Sequence, residues 1–306
     1  MARLGARRDG VVAVRARKVR VGSRKSALAV AQTKLVIESI EAAHPELEVE
    51  LVTMTTTGDV NMKPFSEASD PFGIKGLFTQ ELEEALLRGD LDLAVHSLKD
   101  LPTKQDARLP LVAFASRGDP RDALVLPREG GDGPIGCSSA RRRLQLASLF
   151  PGHAVEPVRG NVLTRLEKLD SGQYGMLILA AAGLKRLGLE GRVERCFSPD
   201  ELVPAAGQGV LACQGRAGED YWYLDAVRDR DAEDCVRAER AFVAALDGGC
   251  AAPVGAYAAL RGTELELMGF YADAAGACRR GRLVGGRSDA ERIGRELAQR
   301  LRGEGE

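Results

Sequence analysis

Apolar residues recur at three-to-four spacing through Leu28, Ala31, Leu35, Val36 and Ile40. The stretch "VRVGSRKSALAVAQTKLVIESIEAAHP" therefore predicts a short strand ending at Gly22, a loop, and a helix closed by Pro45. "LEVELVTM" alternates as a strand, "GLFTQELEEALLRGD" has the period of a helix ending at Gly89, and "LDLAV" is the short apolar run of a buried strand. Strand, helix and strand in succession are the rhythm of a β-α-β unit with a parallel sheet.

The opening pattern returns at "PIGCSSARRRLQLASLF", a strand, a glycine, a small polar turn and a helix for which Ser138 or Ser139 supplies the N-cap. After it come "AVEPV", the helix "VLTRLEKLDSG", the strand "GMLILAA" and the helix "AGLKRLG". Two α/β domains with similar entry turns follow from this repetition. From about Val210 the rhythm changes. A polar helix from Asp231 to Leu246 leads into "AALDGGCAAPVGAYA", then come the strand-like runs "VGAYAAL", "ELELMGFYA" and "CRRGRLVGG" and a last helix from Asp289 to Leu301. Strands in succession between helices predict a small α+β domain with an antiparallel sheet.

At 306 residues the chain has room for two or three domains of roughly 150 residues each. Its apolar runs stop well short of the ~20 residues that a membrane span needs, so no membrane partner is expected. A net charge of −1 counts against a general nucleic-acid binder, and any anion site must come from local clustering. The six cysteines (137, 196, 213, 235, 250 and 278) include no CxxC pair and the histidines number only three. Metal is therefore not expected, and reduced thiols in a cytoplasmic protein are. The first twenty residues carry seven Lys or Arg against one acid and lack the apolar core of a secretory signal. Residues 1–17 read as a disordered basic extension reached from an upstream start codon.

"LDLAV" runs into "HSLKDLP", which places His96, Lys99 and Asp100 at the carboxyl end of a parallel strand, where open α/β sheets bind ligands. An aspartate there suits general acid–base work or a fixed negative charge facing a developing cation; Lys99 beside it favours the second. The plain alternative is a solvated strand exit. Arg141, Arg142, Arg143, Arg159 and Arg165 cluster near predicted helix starts, where guanidinium forks and helix N-termini both favour carboxylates or phosphates. Arg143 reads as an ordinary solvated charge. "VGSRKS" adds Arg24 and Lys25 to the equivalent turn of the first domain, so both domains present cations and hydroxyls to a shared cleft.

"TTTGD" and "GIKGLF" flank a Pro-, Ser- and Asp-rich stretch that predicts a mobile loop, with Lys75 either meeting an anion or marking a lid. "PAAGQGVLA" has the glycines of a phosphate loop but no following GK[ST], and a hinge between domains explains it equally well. Cys250 follows a helix that Gly248 terminates, and no histidine follows His153 in the chain. By these signs the thiol is not an activated nucleophile, and a buried cysteine in a tight turn is the simpler reading.

Taken in order, "GSRKSALA", "TTTGD", "GIKGLF", "DLAVHSLKDLPT", "DPRDALV", "SSARR", "VRGNVLTRL", "LAAAGLKRLGL", "LVPAAGQG" and "ERAFVAALDGGCAAPVGAYA" closely resemble the hydroxymethylbilane synthases, also called porphobilinogen deaminases. The likeness runs from about Val19 to Leu301. It implies an α/β fold of two periplasmic-binding-protein-like (type II) domains, residues 18–115 plus 210–228 and residues 116–205, and a small α+β C-terminal domain, residues 229–306, with a three-stranded antiparallel sheet. It also implies that Cys250 carries a covalent dipyrromethane cofactor through a thioether. Four porphobilinogen molecules then join head to tail with loss of ammonia, and hydrolysis releases hydroxymethylbilane.

The resemblance makes Asp100 the catalytic aspartate. It assigns Lys99, Ser138, Ser139, Arg141, Arg142 and Arg159 to the cofactor, and Arg24, Ser26, Arg165, Gln208, Lys75 and Phe78 to the substrate. A cytoplasmic monomer that passes its product to uroporphyrinogen-III synthase is implied as well. Two positions depart from the usual pattern: Cys137 stands where threonine is commoner, and "ACQGR" replaces a more acidic version. The competing reading is a non-catalytic periplasmic-binding-like module for a small anion.

Overall fold

In a computed structural model, residues 18–56, 79–246 and 253–303 are described. The extension 1–17, the predicted loop with Lys75 and Phe78, and Cys250 lie outside the described residues.

Strand β1, Lys18–Arg24, buries Val19 and Val21 and runs two residues past the predicted end, so Arg24 sits on the strand's carboxyl tip. Helix α1, Ala27–Ala43, follows at once because the Ser26 hydroxyl accepts from the Ala29 amide (3.4 Å) and caps it. Its Val36, Ile37 and Ile40 close over the sheet. β2, Glu48–Met54, and β3, Leu93–Ser97, flank β1 in parallel, and α2, Gln80–Arg88, stops at Gly89 in the left-handed conformation (φ 78°).

β4, Leu111–Phe114, joins the same sheet through a strand that arrives from far along the chain: β10, Leu211–Gln214, lies antiparallel between β3 and β4. The order is β2-β1-β3-β10-β4. The second sheet repeats this plan. β6 (Ile135–Gly136) is parallel to β7 (Val155–Glu156) and β8 (Met176–Ala180), and β5 (Asp122–Val125) is antiparallel between β8 and β9 (Arg195–Cys196), giving β7-β6-β8-β5-β9. Each sheet lends one antiparallel strand to the crossover from the other. The two crossovers touch where the Gly118 amide donates to the Gly209 carbonyl (3.1 Å). The result is two sheet domains of periplasmic-binding-like plan, in which β10 and β5 run against the parallel strands that the β-α-β rhythm predicts.

Three helices of the second domain matter for the cleft. α3, Ala140–Leu149, is capped by Ser139; α4, Val162–Asp170, is capped by the Asn161 side chain; α5 spans Ala181–Arg186. The third domain is the expected antiparallel sheet of β11 (Val254–Arg261), β12 (Glu264–Ala272) and β13 (Cys278–Gly286), covered by α6 (Arg230–Ala245) and α7 (Ala290–Arg302). Phe242, Ile293 and Leu297 fill the space between helices and sheet. Gly269 permits this approach, since a Cβ there would lie 2.6 Å from the Phe242 ring.

Candidate active site

The carboxyl ends of β1, β3, β6 and β7 all carry residues picked out from the sequence. After β3 the chain makes a single 3-10 turn, Leu98–Asp100, closed by the Leu101 amide donating to the Leu98 carbonyl (3.1 Å). Leu98 is buried as the turn's anchor, Lys99 is partly covered, and Asp100 is exposed. The apolar-polar order of "LKD" thus pins one residue inward and turns the carboxylate outward.

His96 does not project into the cleft with them, as the sequence suggested. It is buried, its Nε2 lies 3.1 Å from Gln214 Oε1, and burial pushes its pKa down to about 4. Gln214 donates its own amide to the Leu109 carbonyl (3.2 Å), which turns its oxygen to His96 and makes Nε2 the protonated nitrogen. A buried imidazole held in this way supports β3.

Lys99 donates to Gln208 Oε1 (3.3 Å), and Gln208 Nε2 donates to Asp122 Oδ1 (2.8 Å) and to the Pro120 carbonyl (2.7 Å). Every partner has fixed polarity, so the amide orientation is unambiguous. The hinge glutamine therefore links the Asp100 turn of the first domain to a carboxylate of the second. Burial pushes the Lys99 ammonium down to about 8, against the pull of Asp100.

Asp122 was not singled out from the sequence, although it stands in "DPRDALV". It is fully buried and receives Arg141 Nη1 (2.8 Å) and Arg142 Nη2 (2.6 Å) and Nε (3.1 Å). Burial alone would raise its pKa, but the two guanidinium groups outweigh that and hold the carboxyl below its ordinary value. Arg141 and Arg142 occupy the first turn of α3, where the helix dipole disfavours cations, so this carboxylate is what makes their burial tolerable. The expected carboxylate clamps are thus already engaged: Arg141 also donates to the Val203 carbonyl and Arg142 to that of Ile178. Arg143 is exposed, as expected.

Of the serines, Ser139 and Ser26 accept helix amides and donate to no partner among the described residues, whereas Ser138 gives its proton to the Val158 carbonyl (2.6 Å). As bonded, Ser138 ties α3's entry turn to the Arg159 segment and cannot also donate to a carboxylate. Arg165 donates Nε to the Gly160 carbonyl (2.8 Å) and forms no ion pair among the described residues; burial lowers its pKa, and the nearby Arg142 lowers it further. Arg159 adds to that repulsion, while Asp100 opposes it. Arg24 and Asp100 both act on His96. The structure therefore places Asp100 within electrostatic reach of Lys99 and Arg165, sets Arg142 and Arg159 near Arg165, and brings Arg24 to the same strand end through His96. Cations outnumber carboxylates there, and three helix N-termini begin at the same strand ends. Such a cleft favours a ligand bearing several carboxylates. Cys137 is buried beneath it, with Sγ 3.8 Å from the Ser139 carbonyl.

Among the described residues, no His, Cys, Asp and Glu cluster could hold a metal ion, and no helix is long and apolar enough to cross a membrane.

Comparison with known proteins gives two profile matches. Residues 19–223 match the porphobilinogen deaminase dipyrromethane cofactor binding domain, and residues 234–303 match the porphobilinogen deaminase C-terminal domain. A porphobilinogen deaminase of Acetivibrio thermocellus is 51% identical over 288 residues, 93% of this chain and 98% of that protein. One of Alkaliphilus oremlandii is 48% identical over 293 residues, 94% of this chain and 98% of that protein. Among solved structures, the BenM effector binding domain with benzoate aligns at a TM-score of 0.40 and 15% identity, covering 76% of this chain and 94% of that one.

Proposed function

The chain belongs to the porphobilinogen deaminase family, and from that premise we propose which of its residues perform the reaction. As a transferase of this family, a hydroxymethylbilane synthase, it joins porphobilinogen units on a dipyrromethane cofactor in tetrapyrrole biosynthesis. A module that only binds an anion is not favoured.

The donor set fits the cofactor. A dipyrromethane carries four carboxylates, and the cleft offers an excess of guanidinium and ammonium groups, one of them, Arg165, half-buried without an ion pair among the described residues. We assign its carboxylates to Lys99, Ser139 and Arg159, with Arg141 and Arg142 contributing positive charge from the pair they form with Asp122 and Ser138 acting through the Arg159 segment it fastens. Cys250 is the tether. When bound, the cofactor supplies a carbon nucleophile, the unsubstituted α-position of its terminal ring.

Arg24, Ser26 and Arg165, together with Gln208, Lys75 and Phe78, receive the incoming porphobilinogen. The substrate's C–N bond breaks, ammonia leaves, and the resulting azafulvene cation is attacked to form a C–C bond with loss of the α-proton. Asp100 stabilises that cation through the pyrrole N–H as charge develops, a charge-assisted contact of about 2–4 kcal/mol in the barrier. The observation that carries this assignment is the turn after β3. It exposes one carboxylate among partly buried cations, Lys99 next to it in sequence and Arg165 within electrostatic reach.

We propose the domain division 18–115 plus 210–228, 116–205 and 229–306, supported by the two crossovers and the separate third sheet. We further propose that the protein acts as a cytoplasmic monomer and hands its linear product to uroporphyrinogen-III synthase, because a linear tetrapyrrole still needs a ring-closing enzyme. Intact-mass measurement tests the tether: purified protein should be heavier than its sequence by a dipyrromethane, and Cys250→Ala should lack that increment. An active protein of unmodified mass would refute it.

A further inference from the structure

The turn that carries Asp100 is gripped from a second domain. Immediately after it, the Pro102 carbonyl accepts from Arg240 Nη2 (2.8 Å) and the Thr103 carbonyl accepts from the same nitrogen (2.9 Å). Arg240 stands on α6 of the third domain, 137 and 138 positions away from the two residues it holds. One helical turn earlier on the same face, Val236 packs with Leu98 and Leu101, the two apolar residues that bracket Lys99 and Asp100. The helix thus supports the turn by an apolar contact beneath it and by a cation just beyond it.

The base of this support is itself fixed. Glu239, the neighbour of Arg240, is fully buried, accepts from the amides of Gly207 (2.7 Å) and Ala258 (2.8 Å), and pairs with Arg117 Nη2 (2.8 Å). Helix α6 is therefore fastened to both interdomain crossovers at the point from which Arg240 extends. On the other side, Gln105 Nε2 also donates to the Pro102 carbonyl (2.5 Å).

We propose that Arg240 is a positioning residue for the reaction, holding the carboxylate of Asp100 at its working place by clamping the Pro102 and Thr103 carbonyls from the third domain. This rests on the reading of Asp100 as the catalytic carboxylate. Burial lowers the Arg240 pKa, with no carboxylate among the described residues near enough to offset the cost. A guanidinium kept there is poorly explained by ion pairing and well explained by its two carbonyls.

The test uses holoenzyme of wild type, Arg240→Met, Arg240→Lys and Asp100→Asn, with cofactor loading checked by intact mass. Arg240→Met keeps the apolar stem and removes both donors; kcat should fall about tenfold with KM within about twofold, because misplacement of a catalytic group acts on the chemical step. Arg240→Lys, whose ammonium falls short of the Nη2 position, should lose about threefold. Amide exchange at Leu101 should accelerate in both while the α7 amides stay protected; a purely structural role would loosen α6 and α7 and spare kcat of the loaded enzyme. Wild-type kcat and unchanged Leu101 exchange in either arginine variant, with Asp100→Asn inactive, would overturn the positioning role and leave Asp100 in place. Wild-type turnover by Asp100→Asn would overturn both.

Discussion

Replacing Asp122 with alanine removes the carboxylate on which two buried guanidinium groups and the hinge glutamine converge. Arg141 and Arg142 are 4% and 7% exposed, so neither can recover its lost partner from solvent without unpacking α3. Removing one member of a buried ion pair typically costs about 3–5 kcal/mol, and this site leaves two cations uncompensated, which places the expected loss at the upper end. With an m-value of about 2–3 kcal/mol/M, the urea midpoint should drop by roughly 1.5–2.5 M. The pH dependence has a definite sign. The folded carboxyl lies below its ordinary 3.8, so Asp122 contributes stability that is complete above that value and is lost as pH falls below it. The gap between wild type and Asp122→Ala should therefore be widest near neutrality and narrow in acid. Urea titrations at pH 7 and pH 3.5 check this. A midpoint unchanged at pH 7, or a gap that widens in acid, would refute the claim that this carboxylate holds the arginines.

Lys99 predicts a slope of the same sign at the basic end. Its pKa in the folded protein, about 8, lies below the ordinary 10.5, so the unfolded chain holds the extra proton between these values and stability rises with pH across that window. In cofactor-free Cys250→Ala protein that rise should disappear on adding Lys99→Met, as measured by urea midpoints from pH 7.5 to 10. Glu239→Gln should cost about 3 kcal/mol by leaving Arg117 without its buried counter-ion, read in the same titration at pH 7. Arg165→Ala should stall elongation, visible by mass spectrometry as a shifted distribution of enzyme-bound intermediates while the loaded cofactor is retained; an unchanged distribution would remove Arg165 from the substrate site.

Much of this architecture was legible in the residues before any coordinates. The helices with clear three-to-four spacing fall where α1, α3, α4, α6 and α7 lie, and the three runs after Pro253 form the three-stranded sheet. Ser139, one of two candidate caps for α3, is the one that accepts the helix amide. The short strands β4, β5 and β10, of four residues each, carry too little pattern to stand out, and only pairing with distant partners, more than a hundred residues away for β10 and β3, defines them. That is why the β-α-β rhythm shows only the parallel part of each sheet.

The site followed the same division. Asp100 was visible because a buried strand running into "HSLKD" leaves few directions for its charges. The engagement of Arg141 and Arg142 was hidden because their partner, Asp122, lies about twenty residues upstream and at the head of an apolar run that looks like ordinary core. Glu239 and Arg240 sit in a helix whose composition suggests a solvated face, and only the meeting of three domains buries Glu239 and covers part of Arg240. Pairings of this kind are decided by tertiary contact, which local periodicity does not record.

The most direct test of the account is steady-state turnover of Asp100→Asn holoenzyme, with cofactor loading verified by intact mass and folding by urea titration. Loss of the charge-assisted contact predicts kcat lower by about 10²–10³-fold in a protein that is fully loaded and as stable as wild type. Wild-type kcat from that protein would contradict it.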